Sequence, residues 1–167
     1  MANNPLQAKY LEILNASPYL DAVRKPGRQV VDVQYYAYNV RVGSVAVPLA
    51  DGVAQTTTFE TQADSDFVVS EVSAALQAED NGAMLYNGNV VLQVTDLSSG
   101  KLFYNRPAAL ALVTGAGGFP FVLPAARVWN PNTSIAVTAT NRDALINGGA
   151  GPVGLFLAFH GTRLFYA

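Results

Sequence analysis

The sequence predicts an all-β protein, an antiparallel, jelly-roll-like sandwich or barrel with an N-terminal arm. Three observations predict it. Apolar and polar residues alternate over short runs, as in Val90, Leu92 and Val94 against Gln93 and Thr95, which is the period of a strand with one buried face. Many of the apolar positions are β-branched or aromatic, side chains that pack well on a pleated surface. The runs are punctuated by Asp80-Asn81-Gly82, Asn87-Gly88, Ser98-Ser99-Gly100 and Asn130-Pro131-Asn132, which are turn sequences. About eight strands at roughly 10–20-residue spacing read as a sandwich or barrel, with a jelly roll the leading topology.

The elements follow in order. Residues 1–28 differ from the rest and read as an arm or linker, with the domain proper spanning 29–167. Six of the 22 charged residues fall in that first segment: Lys9, Glu12, Asp21, Arg24, Lys25 and Arg28. Leu6, Tyr10, Ile13 and Leu14 recur at three-to-four spacing, so a short helix is expected around 6–15. Pro18 and Pro26-Gly27 then interrupt the chain. From Gln29 the pattern turns to β. Val31 to Tyr35 alternates, and so does Tyr38 to Val42; Gly43-Ser44 reads as a bulge or tight turn. Gln55 to Thr61 is a threonine-rich strand. Asp66 to Leu76 suits a strand or a short helix, and Val68, Val69 and Val72 favour the strand.

Further along, Asn89 to Asp96 alternates and Lys101 to Tyr104 follows a turn. Residues 105–120 read as a looser stretch. Phe121 to Pro124 and Ala126 to Trp129 come next, and Ser134 to Asn141 alternates again. The closing strand, Val153 to Tyr166, is apolar on both faces, so a central or doubly covered position is expected.

Composition narrows the function classes. A chain of 167 residues is one ordinary domain, or one domain plus an arm. It holds no cysteine, which removes disulfides, thiolate nucleophiles and cysteine-ligated metals. Charged residues make up 13% of it, against about 25% in an average domain, so its surface is either neutral-polar or largely covered by partners. Net charge is −2 and no basic run exists, which gives no footprint for nucleic acid. No stretch approaches the roughly 18 apolar residues of a membrane span. The first residues lack the basic and apolar regions of a secretory signal.

Candidate chemistry is sparse. His160 is the only histidine and lies inside an apolar strand, so a satisfied structural role is expected rather than a Ser–His–Asp triad. One histidine and no cysteine argue against a transition-metal site. Asp64-Ser65-Asp66 offers hard oxygen ligands but lacks the spacing of a calcium loop, and reads as a turn opening the next strand. Asp64, Asp66 and Glu71 are the acids a glycoside hydrolase would need. Gly115-Ala116-Gly117-Gly118 lacks the lysine and hydroxyl of a phosphate loop. No catalytic, cofactor-binding or metal-binding residue is assigned, and no cofactor is expected.

Three segments carry a resemblance. They are Phe59 through Leu76, containing Gln62-Ala63-Asp64-Ser65-Asp66-Phe67; Pro124 through Asn132, followed by Ile135-Ala136-Val137; and Leu155 through Gly161. Together, over roughly residues 55–166, they resemble head-associated cement or decoration proteins of tailed bacteriophages. That resemblance implies a non-enzymatic virion protein on the capsid surface, made in the host cytoplasm. It implies the major capsid protein as partner and self-association as a dimer or trimer, with neither nucleic acid nor membrane bound. Aromatics beyond the needs of one small core, together with the arm, nominate Tyr10, Arg24, Tyr35, Tyr36 and Trp129 as protein-contact residues. The alternative is a receptor- or glycan-binding head domain of a tail or fibre protein, using the glycine-rich loops and exposed aromatics.

Overall fold

A computed structural model describes residues 25–44, 46–78, 84–85, 89–114, 120–142 and 153–167. Ten strands and one helical turn lie among them. In chain order they are β1 (Val30–Val42), β2 (Ala54–Glu60), β3 (Asp66–Ala78), β4 (Met84–Leu85), β5 (Val90–Asp96), β6 (Lys101–Leu102), β7 (Ala108–Ala109), α1 (Leu110–Val113), β8 (Phe121–Trp129), β9 (Ser134–Asn141) and β10 (Val153–Tyr166). The helix expected around 6–15 lies outside the described residues, as do the Asn87-Gly88 turn and both glycine-rich loops.

The strands form two antiparallel sheets. Sheet A runs β1-β10-β3, and both β4 and β8 pair with the far side of β3. Sheet B runs β2-β9-β5, with β6 and β7 on the far side of β5. β6 and β7 are two pieces of one interrupted strand, since they pair with opposite ends of β5 in the same antiparallel sense. Counted so, and setting the short β4 aside, the sheets run β1-β10-β3-β8 and β2-β9-β5-β6/β7, which is the strand order of a jelly roll. β10 takes a central place between β1 and β3, as its two apolar faces require.

Three readings of the sequence change. β1 is one strand that ends at Val42, where Gly43 takes a positive φ of 85°, a conformation glycine adopts without cost. β8 is one strand across Pro124, because the chain bulges there: Val69 pairs with Arg127 and Glu71 with Val122. The stretch 105–120 holds β7 and α1.

The core lies between the sheets. Tyr38, Phe67 and Trp129 from sheet A and Phe103 from the β6–β7 crossing meet around Phe159 of β10, with Phe59 of β2 at their edge. Tyr38 and Phe67 pack edge-to-face at 4.8 Å, and Trp129 and Phe159 at 5.1 Å. Such pairs favour a tilted geometry because ring edges and faces carry opposite partial charge. Two buried polar side chains of the interior are satisfied by backbone carbonyls. Asn141 is fully buried and donates from Nδ2 to the Leu49 carbonyl, and the Thr61 hydroxyl donates to the Asn130 carbonyl.

Candidate functional site

The two outer faces of the sandwich are what the fold offers to a partner. The outer face of sheet B follows from strand alternation. Ile135, Val137 and Ala139 point into the core, so Ser134, Thr138 and Thr140 point out. Register sets Thr56 beside Thr138 and Thr138 beside Gln93, while Thr58, Ala136 and Thr95 form the next row. The Thr56 and Thr138 hydroxyls are 2.8 Å apart. This is a hydroxyl- and amide-rich surface, bounded at one end by Glu60. Much of the charge deficit of the chain is thus a neutral-polar face, one of the two options composition left open.

The outer face of sheet A is different. At one end it carries a second small core. Val68 turns away from the main core while Phe67 and Val69 turn into it, and it packs with Val30 and Leu164 against Val33, Ala126 and Tyr166. Asp66 shares this face. Its side chain is 0% exposed and accepts a hydrogen bond from the Lys25 ammonium at 2.7 Å. Nearby, Arg163 donates to Asp64 at 2.5 Å and to the Ser65 hydroxyl at 2.9 Å, and its guanidinium lies over the rings of Tyr36 and Phe165. The Arg163 hydrogen bond holds the Asp64 carboxyl below the usual carboxylate range.

In the middle of the same face stands His160. Its Nδ1 is 3.0 Å from the Tyr35 hydroxyl and its Nε2 is 2.8 Å from the Ser73 hydroxyl. Both ring nitrogens are therefore engaged, which is the satisfied histidine the sequence suggested. The Ser73–His160 contact has one half of a hydrolytic triad, but the third group is a tyrosine. The backbone around Ser73 is tied into the β3–β10 ladder, so it offers no turn of free N–H groups to stabilise an oxyanion. The three acids weighed for glycoside hydrolysis are divided. Asp66 pairs with Lys25, Asp64 with Arg163, and Glu71 sits across from His160 on β10. Among the described residues no three His, Asp or Glu side chains come close enough to hold a metal.

The predicted contact residues scatter. Tyr35 is 72% exposed, its ring drawn over the sheet by His160. Tyr36 is half-buried at the core rim, 4.9 Å from Tyr38. Trp129 is corrected: it is 4% exposed, because β8 turns it inward opposite Phe67, and it serves the core. Tyr10 and Arg24 lie outside the described residues. Sequence reasoning missed Leu112 on α1 and Val122 on β8, which are 73% and 65% exposed. Val122 had a signal, since the proline two residues on marks an edge strand.

An open groove of about 360 Å³ runs along the β1–β2 corner, lined by Arg41, Gly43, Ser44, Val47, Gln55, Thr56 and Thr57. Arg41 is held there by the Gly43 carbonyl at 3.2 Å and lies over the Phe156 ring.

The fold and its surfaces define an antiparallel jelly roll with polar and apolar faces for contact. No family model and no curated protein matches the chain. Among solved structures it is similar to infectious bursal disease virus, Gx strain, at 13% identity and a TM-score of 0.32, over 86% of this chain and 45% of that one. It is similar to the VP2 subviral particle of the same virus at 12% and 0.33, over 83% and 43%. It is also similar to dimeric latent PorU from Porphyromonas gingivalis at 12% and 0.36, over 84% and 14%. The chain spans less than half the length of the viral chains it matches. Scores of this size carry no functional inference, and the jelly-roll assignment rests on strand order.

Proposed function

We propose that this chain is a structural virion protein that docks on the outer surface of a capsid and stabilises it, without enzymatic activity. The observation that carries the reading is the outer face of sheet B, where threonine, serine and glutamine are interspersed with small or apolar Ala136, Val91 and Leu102 and charge stands only at the end. Such a face docks by hydrogen bonds and shape, without the desolvation cost of buried ions. The sequence resemblance to cement and decoration proteins of tailed bacteriophages supports the same reading. Its partner is then the major capsid protein. Many weak contacts across several subunits add through effective concentration, and binding only the assembled lattice stabilises it by mass action.

The test is co-sedimentation of the purified chain with empty tailed-phage capsids. Saturable binding, lost on replacing Thr56, Thr58 and Thr138 with glutamate, supports the reading. Absence of binding to expanded and unexpanded shells alike contradicts it. The β1–β2 groove favours a second reading, a glycan-binding head domain, since Arg41, Ser44, Gln55 and Thr57 offer polar groups in a concave site. A glycan array separates the two: specific binding that Arg41→Ala and Gln55→Ala abolish would establish the second.

A further inference from the structure

β1 is the outermost strand of sheet A among the described residues. In an antiparallel strand the N–H and C=O of one residue point to the same side, and successive residues alternate. Two contacts fix which residues point away from β10. The Val33 N–H donates to the Asp32 carboxylate at 2.8 Å, and the Arg41 carbonyl accepts from the Thr57 hydroxyl at 2.9 Å. Register with β10 is unbroken from Asp32 to Val42. The backbone groups of Tyr35, Ala37 and Asn39 therefore face outward as well, and no protein group among the described residues meets them.

The edge is thus closed by side chains at Val33 and at Arg41, equally far from Ala37 on either side, and open between. Natural proteins block such edges with proline, lysine or bulges. The other long edge of sheet A, β8, has both a proline and a bulge. Asp32 to Val42 has none of the three.

We propose that this edge pairs with the same edge of a second copy of the chain, antiparallel about a twofold axis at Ala37, joining two A sheets into one. In that register Ala37 meets Ala37 of the second copy, and Tyr35 meets its Asn39, so every open donor finds an open acceptor. The next pair outward is Val33 with the second copy's Arg41. Those are the two groups the chain already satisfies for itself, so the pairing ends where the open window ends. An unrelated peptide strand would give no reason for that symmetry. Two further features fit. Alanine puts the smallest chiral side chain at the axis. The Tyr35 ring is held back over β10 by His160, clear of the edge. The proposal stands on this geometry alone and is independent of the virion reading.

The test uses the full chain, which is otherwise free of cysteine. Hydrogen-bonded antiparallel partners have α-carbons about 5.5 Å apart, within the span of a disulfide. Under mild oxidation Ala37→Cys should form a covalent dimer at least tenfold faster than Val122→Cys, an exposed control on β8. Sedimentation equilibrium should show the unmodified chain as a dimer, with Ala37→Pro weakening the dissociation constant at least tenfold. Equal rates for the two cysteine variants, or an unmodified chain that stays monomeric near millimolar concentration, would overturn the proposal. If Ala37→Pro fails to fold, the cysteine comparison decides alone.

Discussion

The ammonium of Lys25, five residues before β1 begins, lies 2.7 Å from Oδ1 of Asp66, a carboxylate with no exposure. The second oxygen of Asp66 has no hydrogen-bond partner. Lys25 is then what keeps the buried charge tolerable. Removing one member of a fully buried pair costs about 3–5 kcal/mol, and since Lys25 is 37% exposed we expect about 2 kcal/mol for Lys25→Met. Urea unfolding measures it. A loss under about 0.5 kcal/mol would show that water compensates Asp66 instead.

Gly161 sits beside the β-bulge where β10 meets β3. A Cβ built there lies 2.0 Å from the Val68 carbonyl oxygen, which is backbone and has no room to move aside. Gly161→Ala should cost about 3 kcal/mol, the upper part of the range for overpacking. A thermal melt reads this directly, and an unchanged Tm would mean the bulge rearranges.

Tyr104 keeps its hydroxyl buried without a partner. Tyr104→Phe removes that group and leaves the ring's packing on Phe103 at 4.9 Å. An unsatisfied buried hydroxyl costs about 1–3 kcal/mol, so the variant should be as stable as the parent or up to about 1 kcal/mol more stable. A destabilised variant would reveal a hydrogen bond to that hydroxyl.

Burial raises the hydroxyl pKa of Tyr38, Tyr104 and Tyr166 above the ordinary tyrosine value. The folded chain therefore holds protons that the unfolded chain releases. Stability from these groups is fully present below the unfolded pKa of about 10, and is lost as pH rises through it toward the raised folded values. Denaturant midpoints should fall steeply above pH 10, and phenolate absorbance should rise as the chain unfolds. A flat midpoint from pH 9 to 11.5 would contradict the burial of these rings.

Much of the fold was legible because period two is written into the chain. Ser134 to Asn141 alternates cleanly and Val153 to Tyr166 is apolar on both faces, and both are central strands. β8 was read as two pieces because a proline interrupts the ladder, whereas the structure spans it with a bulge. The candidate surfaces were less legible. Alternation says that Tyr35 and Tyr36 face opposite sides but not which side is inside. Trp129 looked like a contact residue because composition counts aromatics without locating them. The partners of His160 come from β1 and β3, far away in sequence, so no local pattern could name Tyr35 and Ser73.

The proposed virion role can be tested in the particle itself. The most direct measurement follows an epitope-tagged copy, expressed in its native host during particle production, through a density gradient. A structural virion protein should band with intact particles in a fixed ratio to the major capsid protein. A chain found only at the top of the gradient, at the mass of a free monomer or small oligomer, would contradict that role.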